Sequence, residues 1–326
     1  GLIGMDLVRL GLERGRSARE ALEVIATLAE THGQGGAALG PDASGYHNGF
    51  LLADPEEAWV LQTSGRHWAA RRVRLDAVSN HISLGTDWEI GSRDLDSFAR
   101  ASGWWMGAGR LDVAAAYRNP GVPGRISDGR LRRSRELLAA AKGHVDVASM
   151  QRALRDHLAG GPVRRRGTRL EDEDHFTLCM HAEPVGTTTA SLVAPLPRER
   201  TAPWPVWISF AAPCTGIFLP VYLDGVIPAA LARGAVSPSE GSFWWALKRL
   251  EQAAERDFER HTPVLREGWA GLEEKVESER VRVEAQAAEA AKEGDADLAS
   301  QLVSDFMARS FEEARLRAEE LCARIR

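Results

Sequence analysis

The chain has 326 residues, of which 44% are hydrophobic, and a formal net charge of −5. That is enough apolar material for a large core, and the acidic balance argues against a nucleic-acid-binding surface. No apolar run approaches the roughly 18 residues of a membrane span, and no signal-peptide pattern opens the chain. In chain order, Met5, Leu7, Val8, Leu10 and Leu12 supply one face of a first helix, with Gly15 placed to end it. Ser17 and Glu20 have capping-box spacing for a second helix carrying Ala21, Leu22, Ile25, Leu28 and Ala29, stopped by His32-Gly33-Gln34-Gly35-Gly36.

From Tyr46 the apolar period shortens to that of strands. Phe50–Ala53, Ala58–Gln62, His67–Val73 and Ala77–Ile82 read as four strands. The turns between the first three are Asp54-Pro55-Glu56-Glu57 and Ser64-Gly65-Arg66, the chemistry of an antiparallel meander. Asp54 is assigned to its turn. Helices are expected over 92–102 and 146–158, capped by Ser92 and Asp146. Strands are expected at Phe176–Met180, Thr187–Val193, Val206–Phe210 and Ile217–Tyr222. Beyond Ser237 the chain turns helical, and past Pro263 its Ala, Glu and Arg content predicts a long helical hairpin. Helices before and after a meander indicate an α+β class. Arg164, Arg165 and Arg166, followed by Glu171, Asp172, Glu173 and Asp174, read as a solvated loop.

Signatures of the commoner enzyme classes are missing. There is no GxSxG, HExxH, Walker A loop or strand-following GxGxxG. The nine histidines are scattered, no pair with metal-ligand spacing lies beside a third ligand, and no metal or other cofactor is expected. The three cysteines, Cys179, Cys214 and Cys322, form neither a CxxC motif nor a disulfide framework, which suits a reducing, cytoplasmic setting. Cys179 and Cys214 sit in apolar segments and read as buried packing residues.

An ordered series of segments nevertheless resembles the secernin and cysteine-type dipeptidase family. It comprises Gly4 to Gly15, Glu20 to Ile25, His32 to Gly36, His47 to Asp54, Glu57 to Leu61 and Gly65 to Val73. It continues with Ser79-Asn80, Gly103-Trp104-Trp105, Cys179-Met180-His181, Thr188 to Val193, Pro213-Cys214 and Phe218-Leu219-Pro220. The resemblance implies an N-terminal-nucleophile (Ntn) hydrolase, an αββα sandwich of two antiparallel sheets, over residues 1–236, with a helical segment over 237–326. It also implies a nucleophilic cysteine at the mature N-terminus, upstream of these residues, whose α-amine serves as base. The first strands of the fold would then be missing, the chain alone would be inactive, and an exposed sheet edge would favour a homo-oligomer.

Among the residues present, Asn80 is the expected oxyanion-hole donor, since a side-chain amide offers N–H groups to a developing oxyanion. His181, Asn48 and Trp68 are the expected substrate-contacting residues. The expected substrate is a small peptide, with no nucleic-acid or membrane partner. Two alternatives stay open: an acylase acting on non-peptide amides, and a non-enzymatic, secernin-like regulatory protein.

Overall fold

The computed structural model describes residues 1–35, 46–141, 143–158, 176–182, 186–199 and 203–325; the runs at 164–166 and 171–174, and Gly36, lie outside them. The chain divides into two compact units, Gly1–Ala140 and Ala141–Arg326.

The first unit opens with α1 (Gly4–Arg14) and α2 (Ala18–His32). Gly15 ends α1 in extended backbone, and it is glycine for reasons of space: a Cβ there would lie 2.6 Å from the Ala21 backbone nitrogen. Ser17 caps α2 by accepting from the Glu20 amide at 3.1 Å, while Glu20 accepts from the Arg16 amide at 2.8 Å. This is the expected reciprocal cap, shifted by one residue on the return bond.

Strands β1 (Asn48–Ala53), β2 (Ala58–Ser64) and β3 (His67–Val73) form the expected meander, joined at the second turn by Gly65 at φ 61°. The turn before β2 is held by Asp54. Its carboxylate accepts from the amides of Ala18 (2.7 Å), Glu56 (2.7 Å) and Glu57 (2.9 Å), so one side chain ties the turn to the start of α2.

The fourth strand departs from the expectation. It is β4 (Ile90–Gly91), paired with β3, and residues 77–82 are not a strand. The reason is Gln62, a polar residue buried inside β2. Its amide oxygen accepts from the Ser83 amide at 2.7 Å and the Leu84 amide at 2.9 Å, and its nitrogen donates to the His81 carbonyl at 3.3 Å. A side chain thus satisfies backbone groups that a ladder would otherwise have to satisfy.

The register places Phe50, Leu61, Ala70 and Trp59 on the face covered by α1 and α2, through Leu7, Leu22 and Ile25. The opposite face carries Val60 and Ala69. It is covered by Ile82, Leu84 and Leu111, by α3 (Leu95–Ala101) and by α4 (Val113–Tyr117). The unit ends in α5 (Asp128–Ala140).

The second unit begins with α6 (Val147–Leu154), whose Asp146 and Ser149 form a complete capping box. A two-stranded pair follows, β5 (His181–Ala182) with β6 (Gly186–Thr187). Strands β7 (Ala190–Val193), β8 (Val206–Phe210) and β9 (Leu219–Val221) then make an antiparallel sheet. The segment 176–180, expected as a strand, is irregular, and Cys214 lies in the turn between β8 and β9.

Four helices close the unit: α7 (Ala229–Ala232), α8 (Phe243–Ala254), α9 (Phe258–Lys292) and α10 (Ala296–Arg324). The last two are the expected long hairpin. Val206, Ile208, Phe210, Leu219 and Val221 pack with Leu247, Trp269 and Phe306 of these helices, while Trp207 and Val193 pack with Val147 and Met150 of α6. Helices therefore cover both faces of this sheet.

Candidate functional site

Two polar clusters stand out, one in each unit. The first lies on the side of the β1–β2 meander away from α1 and α2. A Cβ on Gly49 would meet Ser79 O at 3.7 Å and Val78 Cβ at 3.8 Å, so the 77–82 segment runs directly over the start of β1. Asn80 is exposed there, in a bend. Its Oδ1 accepts from Arg130 Nη2 at 2.5 Å, which fixes the orientation of the amide and turns its nitrogen to other partners.

Beside it, His81 is buried, and its main-chain amide donates to Ser127 Oγ at 3.1 Å. Arg118 Nη2 lies 2.7 Å from His81 Nδ1 and 2.8 Å from Asp128 Oδ2. Asp128 Oδ1 also lies 3.3 Å from His81 Nδ1, so that ring nitrogen faces both a donor and an acceptor, while Nε2 is buried without a hydrogen-bond partner, as is Ser79 Oγ. Burial works to raise the Asp128 carboxyl, but the hydrogen bonds and charges of Arg118 and His81 together outweigh it and hold the group below its ordinary range. Burial, with His81 nearby, lowers the His47 imidazole. The result is an oriented amide next to a buried imidazole, with an arginine against each.

The other expected residues of this unit fall elsewhere. Asn48, Thr63 and Trp68 align across β1–β3 on the α1/α2 face. Trp68 packs with that core and donates Nε1 to Glu30 Oε1 at 2.7 Å. Asn48 packs against Gly4, where a Cβ would come within 2.1 Å of its Oδ1, and its Nδ2 is buried without a partner. The meander therefore separates Asn48 and Trp68 from Asn80. His181 belongs to the second unit.

That unit holds the second cluster. Cys179, His181 and Cys214 are 0%, 1% and 3% exposed. His181 Nε2 lies 3.6 Å from Cys179 Sγ and 3.3 Å from Cys214 Sγ, while its Nδ1 faces Glu255 Oε1 at 3.4 Å. His157 completes the group: one ligating atom from each of His157, Cys179, His181 and Cys214 falls within 4.8 Å of all the others. Phe258 packs edge-on to both imidazoles, with centroids at 5.1 and 5.8 Å.

Burial would raise the Cys179 thiol, but hydrogen bonds with Cys214, His157 and His181 overcome it and hold the thiol well below its ordinary value. Burial and the neighbouring Cys179 push Cys214 the other way. For His181, burial would lower the pKa, yet Cys179 and Glu255 lift it to about 9.

The shell around these groups is firmly made. The Pro213 carbonyl accepts from Arg155 Nε at 2.9 Å, the Thr215 carbonyl from Trp269 Nε1 at 2.9 Å, and the Gly216 carbonyl from Arg266 Nη1 at 2.6 Å. The Ala212 amide donates to Glu251 Oε2 at 3.0 Å, and Glu251 is itself paired with Lys248 at 2.7 Å. Ala211, just before the turn, holds φ 56°, a left-handed conformation uncommon outside glycine.

Sequence spacing gave no reason to expect four such ligating side chains in one place, and it missed His157 and Glu255 altogether. The one local signal was Cys179-x-His181, which sets both side chains on the same side of an extended segment.

Beyond this cluster, the second unit carries a groove of about 580 Å³ lined by Trp204, Trp207, Phe218, Glu277, Arg280 and Glu284. Arg280 is engaged by Glu277 at 2.6 Å and Glu284 at 2.5 Å, so its charge is already committed. Among the described residues, no helix is long and apolar enough to cross a membrane.

Residues 1–103 match the model of peptidase family C69. The matched stretch contains α1, α2, the meander and Asn80. A probable dipeptidase B of Lactococcus lactis subsp. lactis (strain IL1403) is 40% identical over 74 residues, which is 22% of this chain and 13% of that relative. Together these matches support the C69 dipeptidase family, in line with the resemblance seen in the residues. They span a minor part of each chain, so the relative's name describes that relative.

Proposed function

We propose that these 326 residues form part of a dipeptidase that hydrolyses peptide amide bonds through a cysteine at a mature N-terminus, on an Ntn-type αββα scaffold. The observation that carries the reading is the family match over residues 1–103, within which the Asn80 segment crosses the start of the meander. Each unit carries an antiparallel sheet packed against helices, which supports the α+β class; the stacking of two sheets on one another is part of the proposal.

In this reading a free α-amine takes the thiol proton, and the thiolate attacks the scissile carbonyl carbon. The oxyanion that forms accepts a hydrogen bond from Asn80 Nδ2. The C–N bond then breaks, the leaving amine takes the proton, and water hydrolyses the thioester to free acid and thiol. Cys179, Cys214 and Cys322 are internal, so none carries a free α-amine. The nucleophile is therefore supplied from outside these residues, and the 326 residues alone leave dipeptides intact. The free cysteines suit a reducing compartment.

The test is hydrolysis of a panel of dipeptides and N-acyl amino acids by the longer protein that includes the upstream cysteine, beside residues 1–326 alone. Turnover of dipeptides by the longer form only supports the reading. Equal turnover by the short form contradicts the proposed nucleophile, and cleavage confined to the acyl amino acids contradicts the proposed substrate.

A further inference from the structure

We propose that the second unit binds one divalent metal ion of the zinc class in a closed tetrahedral site made by Cys179, Cys214, His157 and His181. The inference is independent of the hydrolase reading, which concerns the first unit.

Donor geometry is the first argument. With metal–sulfur bonds of about 2.3 Å and metal–nitrogen bonds of about 2.0 Å, a tetrahedral ion sets its ligating atoms about 3.3 to 3.8 Å apart. His181 Nε2 meets that spacing to both sulfurs, at 3.6 and 3.3 Å, and all four donors lie within 4.8 Å of each other. A small inward movement of the remaining ligands completes the coordination sphere.

The second argument is the outer shell. A ligating imidazole ordinarily gives its other ring N–H to a carboxylate, which fixes the tautomer and turns the lone pair to the metal. His181 does this: Nδ1 faces Glu255 Oε1 at 3.4 Å and Nε2 faces both sulfurs. The Cys214 turn is pinned by Arg155, Trp269 and Arg266, and the Cys179 amide donates to the Asp156 carbonyl at 3.0 Å. His157 contributes a third sign, since its Nε2 is buried without a hydrogen-bond partner.

Competing explanations account for less. Apolar packing does not explain two imidazoles and a carboxylate gathered around two thiols, because buried polar groups are costly unless partnered. A Cys179–Cys214 disulfide would use the sulfurs and leave the imidazoles without a task. A catalytic Cys–His pair needs an approach for substrate, and these side chains are closed off from solvent. Two thiolates balance the charge of a divalent cation, and four protein ligands leave no open position. The ion therefore serves structure and not catalysis. Binding forms four coordination bonds and releases the ligand protons to solvent.

The test uses the whole chain, reduced and stripped of metal with a chelator, then titrated with Co²⁺. The expected result is saturation at one ion per chain, with tetrahedral d–d bands and a thiolate-to-cobalt charge-transfer band, all abolished by Zn²⁺. Cys179→Ser and Cys214→Ser should each weaken the charge-transfer band and lower affinity by at least about tenfold, the scale seen when a metal's shell is disturbed. Cys322→Ser should leave both unchanged.

Because a ligand variant can misfold, a second experiment needs no substitution. In protein purified without chelator, metal is released to pyridylazoresorcinol as a mercurial titrates the thiols, three per chain in all. A folded, reduced chain that shows no charge-transfer band overturns the proposal. So does a band insensitive to Cys179→Ser, or a Cys179–Cys214 disulfide whose reduction yields thiols without metal affinity.

Discussion

The two histidine clusters follow opposite rules. Around Asn80 and His81 the polar groups are held in orientation by Arg130 and Arg118, yet Asn80 stands in solvent and His81 Nε2 has no partner. Around His181 every direction is closed: cysteines on one side, Glu255 on the other, Phe258 against the rings. Oriented donors that remain uncommitted are what a reaction centre needs, because they can respond to charge that develops in the transition state. An enclosed set of donors converging on one point holds an architecture in place. The unit matched by the peptidase family is the one with the open cluster.

Metal removal should separate the clusters most sharply. A ligand present at about a thousandfold above its Kd stabilises by about 4 kcal/mol, so chelation should lower the melting of the second unit by that order and leave the first unit's transition in place. Calorimetry with chelator and with Zn²⁺ checks this, and identical scans would erase the distinction.

Next in size is the buried ion pair behind the Cys214 turn. Glu251 is 0% exposed, and Glu251→Ala would take the acceptor from the Ala212 amide and the carboxylate from Lys248, which keeps its bond to Thr187 Oγ1. Removing one partner of such a pair costs about 3–5 kcal/mol, to be read from urea denaturation. The equivalent change in the first unit is Gln62→Leu, which strands the Ser83 and Leu84 amides. It should cost about 1–3 kcal/mol per stranded group and release the 77–82 segment, with faster amide exchange at Asn80 and His81.

Smaller still is Asp54→Ala, at about 1–2 kcal/mol for a lost cap. Three backbone amides hold the Asp54 pKa below its ordinary value, with the Ala18 hydrogen bond the largest cause. Its contribution is therefore complete above the ordinary carboxylate pKa and fades as pH falls through the lowered one. Wild type and Asp54→Ala should converge in stability at acid pH and differ near neutrality. At the bottom of the scale, Arg315→Ala removes solvent-facing pairs with Glu312 and Glu319 on α10 and should cost no more than about 0.5 kcal/mol.

How much of this the sequence disclosed follows from the range of the forces involved. The α1 and α2 helices, the three long strands, the Asp54 turn and the terminal hairpin are set by periodicity and local chemistry, and all of them are legible. The fourth strand lies elsewhere than expected because Gln62, 19 to 22 positions earlier in the sequence than the backbone groups of His81, Ser83 and Leu84, satisfies them through its side chain. The Cys/His cluster was illegible for a related reason. His157, the Cys179–His181 pair and Cys214 come from three segments distant in sequence, with His181 opening β5 and Cys214 in the turn between β8 and β9. Asn48 and Trp68 were expected to contact substrate beside the donor Asn80, but strand alternation puts them on the face of the meander covered by α1 and α2, away from the Asn80 segment.

The central claim is that the open cluster serves amide hydrolysis. The most direct measurement is the steady-state rate of dipeptide hydrolysis by a protein carrying these residues behind the proposed N-terminal cysteine, with and without Asn80→Ala. Loss of one oxyanion donor should lower kcat by about 10²–10³ with KM little changed. An unchanged kcat in a folded variant would remove Asn80, and the cluster around it, from the chemistry.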